Sequence, residues 1–260
     1  MTTNLVIAYP DIPFNASSHT LTGKSADSSY NKDNVINGFR SDRFQFVGTA
    51  GSPEHTFTLS SGQTAEYLIV SQANLLMKNA AQNSGTTNLY LGGSNGGGYT
   101  FPVNGTSWTT SDLVGINSQD YITTFAETSS YTTWLIQFCS NSSATNTYPH
   151  GQIYFGKFFD FLRDPLYGRR IEQDSDDVNF KGQATRFFFN YKGISDTVKI
   201  DFETKIGKFK DINPVFLYTR TSHNPILGRR LSHCIIVDYE FTPTAYQYNN
   251  LTIVFEELVS

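Results

Sequence analysis

The chain has 260 residues, with 19 basic and 23 acidic side chains, five histidines, two cysteines and a formal net charge of −4. That length suits one large domain or two small ones at about 100–200 residues each. The mild acidity excludes a protein that works by neutralising nucleic-acid phosphates, no run of about 18 apolar residues offers a membrane-spanning helix, and two cysteines are too few for a disulfide framework.

Low charge (16%) and high aromatic content (15%) point to β structure. The first twelve residues lack a basic stretch ahead of their short apolar run, so no secretory signal is expected. Leu5–Tyr9 reads as a strand closed by Pro10. Asn34–Gly38 precedes the short strand Phe44–Val47. His55–Leu59 alternates with period two and ends at the turn Ser60–Gly62. Glu66–Val70 and Thr87–Leu91 are compact strands, the second closed by a glycine-rich loop, Gly92–Gly98. Tyr131–Phe138 and Gly151–Phe155 complete a set of short strands that suggests a sandwich or barrel.

Charge density then rises. Residues 1–165 carry 7 basic and 11 acidic groups; residues 166–260 carry 12 of each. Pro165 and Gly168 punctuate the change, which places a domain boundary between residues 165 and 166. Beyond it, Arg186–Tyr191 is a strand. Ser195 caps a helix, with Asp196 in its first turn. Val198, Phe202, Ile206 and Phe209 recur on one face of a 3.6-residue period. Strands at Val215–Tyr218, Ser232–Phe241 and Leu251–Phe255 follow, an α+β domain with one helix on an antiparallel sheet.

No constellation of catalytic groups stands out. His19, His55, His150, His223 and His233 lie far apart and are expected in structural roles, because a zinc site needs three or four ligands at workable spacing. Cys139 and Cys234 sit at strand ends and read as small buried hydrophobes. Gly92-Gly-Ser94-Asn-Gly96 matches the nucleophile-elbow string, but no helix follows, so a loop between strands is expected. Asp174, Asp176 and Asp177 offer oxygens for Ca²⁺ without EF-hand spacing, and read as a solvated loop beside Arg169 and Arg170. A hydrolase would draw on Glu66, Asp174 or Asp176, yet no acid–base pair is evident. No enzymatic activity, metal or cofactor is expected. The aromatics are the remaining signal. Trp108, Trp134, Tyr99, Phe101, Tyr121 and Tyr131 are candidates for a sugar-stacking platform. Trp134 alternates with Ile136 and Phe138 and is assigned to the core. Trp108, in the polar loop Asn104–Ser111, and Tyr99 are the candidate glycan contacts.

Ala16-Ser-Ser18, Asn34–Asp42 and the strand pair at 55–70 together resemble the opening of galactose-binding-like (discoidin-type) jelly rolls. Trp134–Phe138 followed by Gly151–Gly156 resembles the closing strands of that sandwich in structural proteins of tailed bacteriophages. Residues 166–260, with the apolar strand Pro214–Tyr218, look like a tail-protein module. The resemblance implies a mainly β chain: a jelly-roll sandwich over residues 1–165 and a smaller α+β assembly domain over 166–260. It implies a virion subunit at the tail tip or baseplate, assembled in the host cytoplasm as a symmetric homo-oligomer beside other tail proteins, with the sandwich displaying a host-glycan site. A stand-alone carbohydrate-binding module using loop aromatics is the alternative.

Overall fold

The computed structural model describes residues 4–23, 25–36, 43–47, 52–76, 87–107, 110–114, 119–140, 148–174, 183–211, 213–220 and 226–258, with backbone alone at 87, 107, 110, 139, 140, 173, 174, 183 and 184. The chain is mainly β. In order, the strands are β1 (Leu5–Tyr9), β2 (Ala16–Thr22), β3 (Ser25–Ala26), β4 (Phe44–Val47), β5 (Glu54–Gln63), β6 (Tyr67–Val70), β7 (Thr87–Ser94), β8 (Thr100–Ser107) and β9 (Leu113–Val114). They continue as β10 (Asp120–Thr124), β11 (Tyr131–Ser140), β12 (Tyr148–His150), β13 (Ile153–Phe159), β14 (Tyr167–Asp174), β15 (Gln183–Ser195), β16 (Val215–Thr219), β17 (Leu231–Ala245) and β18 (Tyr248–Glu257). Helical residues complete the described elements apart from short turns: α1 (Asp11–Phe14), residues 73–76, and α2 (Asp196–Lys205). No helix among the described residues is long and apolar enough to cross a membrane.

The chain divides into two compact units, Pro10–Lys157 and Met1–Tyr9 with Phe158–Ser260. In the first, a five-stranded antiparallel sheet in the order β2-β5-β11-β7-β8 faces the strands β13-β6-β10-β9. Leaving out the short strands, the chain crosses from one sheet to the other between β5 and β6, β6 and β7, β8 and β10, β10 and β11, and β11 and β13, a jelly-roll course. The alternation read at His55–Leu59 is the physical cause of the inner face. His55, Phe57 and Leu59 point in, and Thr56 and Thr58 are half-buried on the other side. Trp134, Ile136 and Phe138 of β11 join them. Across the interior, the Trp134 and Phe57 rings each lie 5.5 Å from Phe155 of β13. The small sheet β12-β4-β3 adds Phe44, Phe46 and Tyr148 to the same core. Glycine placement shapes the β7–β8 hairpin. The sequence reads Gly92–Gly98 as a loop, but Gly92, Gly93 and Ser94 are strand, because rings take the space a side chain would fill.

In the second unit the antiparallel sheet runs β14-β15-β18-β17-β16-β1. Phe187, Phe189 and Tyr191 of β15 and Leu251, Ile253 and Phe255 of β18 alternate inward and are buried. α2 covers this core with Phe202, and the chain continues through the single turn Gly207–Phe209 to bury Ile206 and Phe209, so the predicted apolar face holds to its end. The Ser195 side chain accepts a hydrogen bond from the Val198 amide, as read from the sequence. Cys234 is buried, and the Cys139 side chain lies outside the described residues.

Leu5–Tyr9 and Tyr167–Asp174 also differ from the sequence reading. Leu5–Tyr9, expected within the first part, pairs antiparallel with β16, Leu5 opposite Thr219 and Ala8 opposite Phe216. A five-residue apolar run carries no information about which distant strand it will join. Tyr167–Asp174, which overlaps the end of the expected boundary segment Arg163–Gly168 and the start of the acidic run Glu172–Asp177 expected as a solvated loop, is the full strand β14 against β15. Its charges misled because an outermost strand tolerates them: Arg170 pairs with Glu172 at 2.7 Å, and Arg169 lies 4.5 Å over the Phe188 ring. Asp174 is the strand's last residue; Asp176 and Asp177 lie outside the described residues.

The cap gives a direct check on α2. Ser195→Ala should lower the unfolding free energy by about 1 kcal/mol, with Ser195→Asp retaining most of it, measured by urea denaturation.

Candidate functional site

The β7–β8 hairpin builds one wall of a cleft. Gly96, at φ +93°, turns the chain, and the Ser94 hydroxyl closes the turn by donating to the Gly97 carbonyl at 2.9 Å. A Cβ at Gly92 would stand 2.8 Å from the Phe101 ring, and one at Gly93 would collide with the Tyr131 ring. The paired glycines therefore let two aromatic side chains lie against the strand backbone. Tyr131 is held from the other side by Trp134, edge to face at 5.5 Å and 85°. Phe101 is braced by Tyr90 and Tyr99, each 6.1 Å away.

The opposite wall is the loop from Phe125 to Ser130. Its backbone is pinned: the Phe125 amide donates to the Glu66 carbonyl, the Thr128 amide donates to the Ala65 carbonyl, and the Thr128 hydroxyl accepts from the Ala65 amide, all at 3.0 Å. Asn95 clips the walls together, donating from Nδ2 to the Ser130 carbonyl and accepting at Oδ1 from the Thr132 amide, both at 2.9 Å. Between the walls lies an open cleft of about 310 Å³, lined by Phe101, Pro102, Phe125 and Tyr131 with Thr100, Ala126, Thr128 and Ser129. Ionised groups are absent from this lining. At its rim the Glu127 carboxylate is engaged by Lys157 at 2.5 Å and by the Thr64 hydroxyl at 2.8 Å. The cleft thus offers apolar rings and hydroxyl dipoles.

Of the residues singled out from the sequence, Phe101 and Tyr131 meet in the cleft, and Tyr99 stands beside it, 37% exposed. Burial, and secondarily the Glu54 carboxylate, push the Tyr99 phenol above its ordinary range, so it stays protonated. Trp134 and Tyr121 are core. Trp108 lies outside the described residues. Pro102 and Phe125 were missed; neither sits in a pattern that separates a lining ring from a packed one.

A second cluster was not legible at all. His19, His55 and His150, 36 and 95 residues apart along the chain, form a buried series. His150 Nδ1 lies 2.8 Å from the Gly151 carbonyl oxygen, which only accepts, so His150 carries its proton there. Its Nε2 then accepts from His55 Nε2–H at 3.1 Å, and His55 Nδ1 accepts from His19 Nε2–H at 3.0 Å. The series ends at His19 Nδ1, 3.6 Å from the exposed Asp33 carboxylate. All three rings are neutral in this arrangement, and none of their bonds converges on one point. Among the described residues no group of three His, Cys, Asp or Glu side chains is placed to hold a metal. Burial drives every member below the usual imidazole value of 6.5: His150 to about 4, His55 well below, and His19 less far because Asp33 opposes the shift.

No protein-family model and no curated protein sequence matches the chain. Among solved structures, it is similar to a pectin-binding carbohydrate-binding module at 14% identity, over 55% of this chain and 91% of that one, with a TM-score of 0.39. It is similar to chitosan-binding module 1 of a chitosanase/glucanase from Paenibacillus sp. IK-5 at 10% identity, over 56% and 98%, TM-score 0.39. A module, CBM32-1, of a family 31 glycoside hydrolase from Clostridium perfringens matches at 15% identity, over 56% and 99%, TM-score 0.39.

The histidine series sets a pH dependence. Each folded-state value lies below 6.5, so acid protonates the unfolded chain first. The stability contributed is fully present above pH 6.5 and is lost as pH falls through the window down to about 4. For His150 alone the loss is on the order of 3 kcal/mol. Thermal unfolding followed from pH 7.5 to 4 should show a falling midpoint, and His150→Gln should flatten that fall.

Proposed function

We propose that the Pro10–Lys157 sandwich binds a neutral carbohydrate in the cleft between the β7–β8 hairpin and the Phe125–Ser130 loop. The observation that carries this reading is the pairing of Phe101 and Tyr131, seated over Gly92 and Gly93, with Thr100, Thr128 and Ser129 around them. A pyranose has an apolar face of C–H groups and a rim of hydroxyls. The rings suit the face, and the threonine and serine hydroxyls, each both donor and acceptor, suit the rim. Uncharged lining favours a neutral sugar over a uronic acid or sulfated one. The pinned backbone of both walls means little ordering accompanies binding.

The reading is one of binding without turnover. Glycoside hydrolysis calls for two carboxylates about 5–10 Å apart across the scissile bond. The lining contributes no carboxylate, and Glu127 at the rim is occupied by Lys157 and Thr64.

A second reading, a subunit of a phage tail assembly, is favoured by one surface of the other unit. Leu162, Leu166 and Tyr167 are 68%, 68% and 57% exposed within six residues of one another. Contiguous exposed apolar side chains suit a surface covered in an assembly. Mass spectrometry of purified particles tests it: peptides of this chain in stoichiometric amount support the reading, and their absence removes it.

Calorimetric titration with a panel of neutral and acidic oligosaccharides tests the first reading. At least one neutral member should bind, and Phe101→Ala should weaken it by about tenfold or more, the loss expected on removing one stacked ring. No binding across the panel, or binding indifferent to Phe101→Ala and Tyr131→Ala alike, would overturn it. No reducing ends should appear during the titration.

A further inference from the structure

We propose that β14 is a self-association edge: two copies of this chain pair antiparallel along Gly168–Asp174, about a twofold axis at Ile171. β14 is the outermost strand of its sheet and, among the described residues, pairs with β15 alone. It is eight residues long, contains no proline, and Arg169, Arg170 and Glu172 along it are exposed. Such a strand presents a row of amide and carbonyl groups to any strand that can lie beside it.

The sequence of the edge says which strand fits. On an antiparallel ladder the residues whose backbone groups point outward are every second one, so two identical edges can meet only with an identical residue opposite itself at the centre. Centred on Arg170 or on Glu172, the pairing sets like charges face to face. Centred on Ile171, it sets Arg170 opposite the partner's Glu172, and Glu172 opposite the partner's Arg170. Arg170 and Glu172 already share one face, 2.7 Å apart and both solvent-accessible. The pair of edges would join them into a four-charge network of alternating sign, with Ile171 at its middle. Natural edges are often protected by charges that repel a second copy. Here the signs are opposite and symmetric about Ile171, and they select a second copy in one register. The exposed Leu162, Leu166 and Tyr167 at the start of the strand supply apolar surface beside the ladder. The contact is closed by its twofold, so it yields a dimer and not a fibre.

Sedimentation equilibrium on the full chain tests this, with circular dichroism confirming the fold of each variant. The wild type should show a concentration-dependent dimer, weakened by rising salt because the cross-strand charges are screened. R170E and E172R should each raise the dissociation constant by about tenfold or more, since each places two like-charged pairs face to face. The double variant R170E/E172R should return it toward the wild-type value. Hydrogen exchange should slow at residues 168–174 as the dimer forms. A wild type that stays monomeric at every concentration, a dimer indifferent to salt, single variants that leave association unchanged, or a double variant as weak as the singles would each overturn the proposal. The wild-type salt series needs no substitution and stands even if one variant fails to fold.

Discussion

The interior of the sandwich is spanned by three rings. Trp134 and Phe57 from one sheet both touch Phe155 from the other at 5.5 Å. That contact sets the separation of the sheets, and much else follows from it. Trp134 holds Tyr131 edge-on at the end of its strand, and Tyr131 occupies the room left by Gly93. The cleft wall is therefore an extension of the core outward and not a loop laid on the surface. Its aromatic groups are positioned by close packing, which resists displacement more strongly than an exposed side chain's own rotamer preference does.

The same interior admits polar groups on strict terms. Three imidazoles sit among Phe44, Phe46, Phe57 and Phe138, with His55 4.7 Å from the Phe46 ring and His150 4.9 Å from Phe138. Neutral histidine is tolerated there because each ring but the last hands its proton to a neighbour, and the Gly151 carbonyl fixes the direction of the series. A buried polar network is stabilising only while its members are satisfied. The histidines join β2, β5 and β12, so their protonation state is tied to the pairing of strands in both the five-stranded and the small sheet.

Local signals in the chain are legible where one residue decides one turn or one face. Ser195 and the Val198–Phe209 periodicity placed the helix and its buried side; the alternation from His55 and from Trp134 placed the inner face. Long-range partnership was not legible. Nothing local in Leu5–Tyr9 names Val215–Thr219, and nothing in the neighbourhoods of His19, His55 and His150 connects residues so widely separated. β14 is not legible as a strand because its charges read as solvation, whereas an edge strand needs only one protected face. The candidate site was partly legible. Composition flagged Phe101, Tyr131 and Tyr99, but whether a ring lines a cleft or fills a core depends on what lies opposite, as Trp134 and Tyr121 show by being buried.

The pairing of β1 with β16 has a consequence for synthesis. The apolar stretch Leu5–Tyr9 leaves the ribosome about two hundred residues before β16, a strand that receives it. The sandwich encoded between them can complete its own core in the meantime, since chains fold domain by domain as they emerge. Until Val215–Thr219 emerges, one edge of that hydrophobic strand stays without its native neighbour, a template for misplaced pairing. The order of synthesis thus makes the closing of this sheet a late event, dependent on a segment made long before its partner.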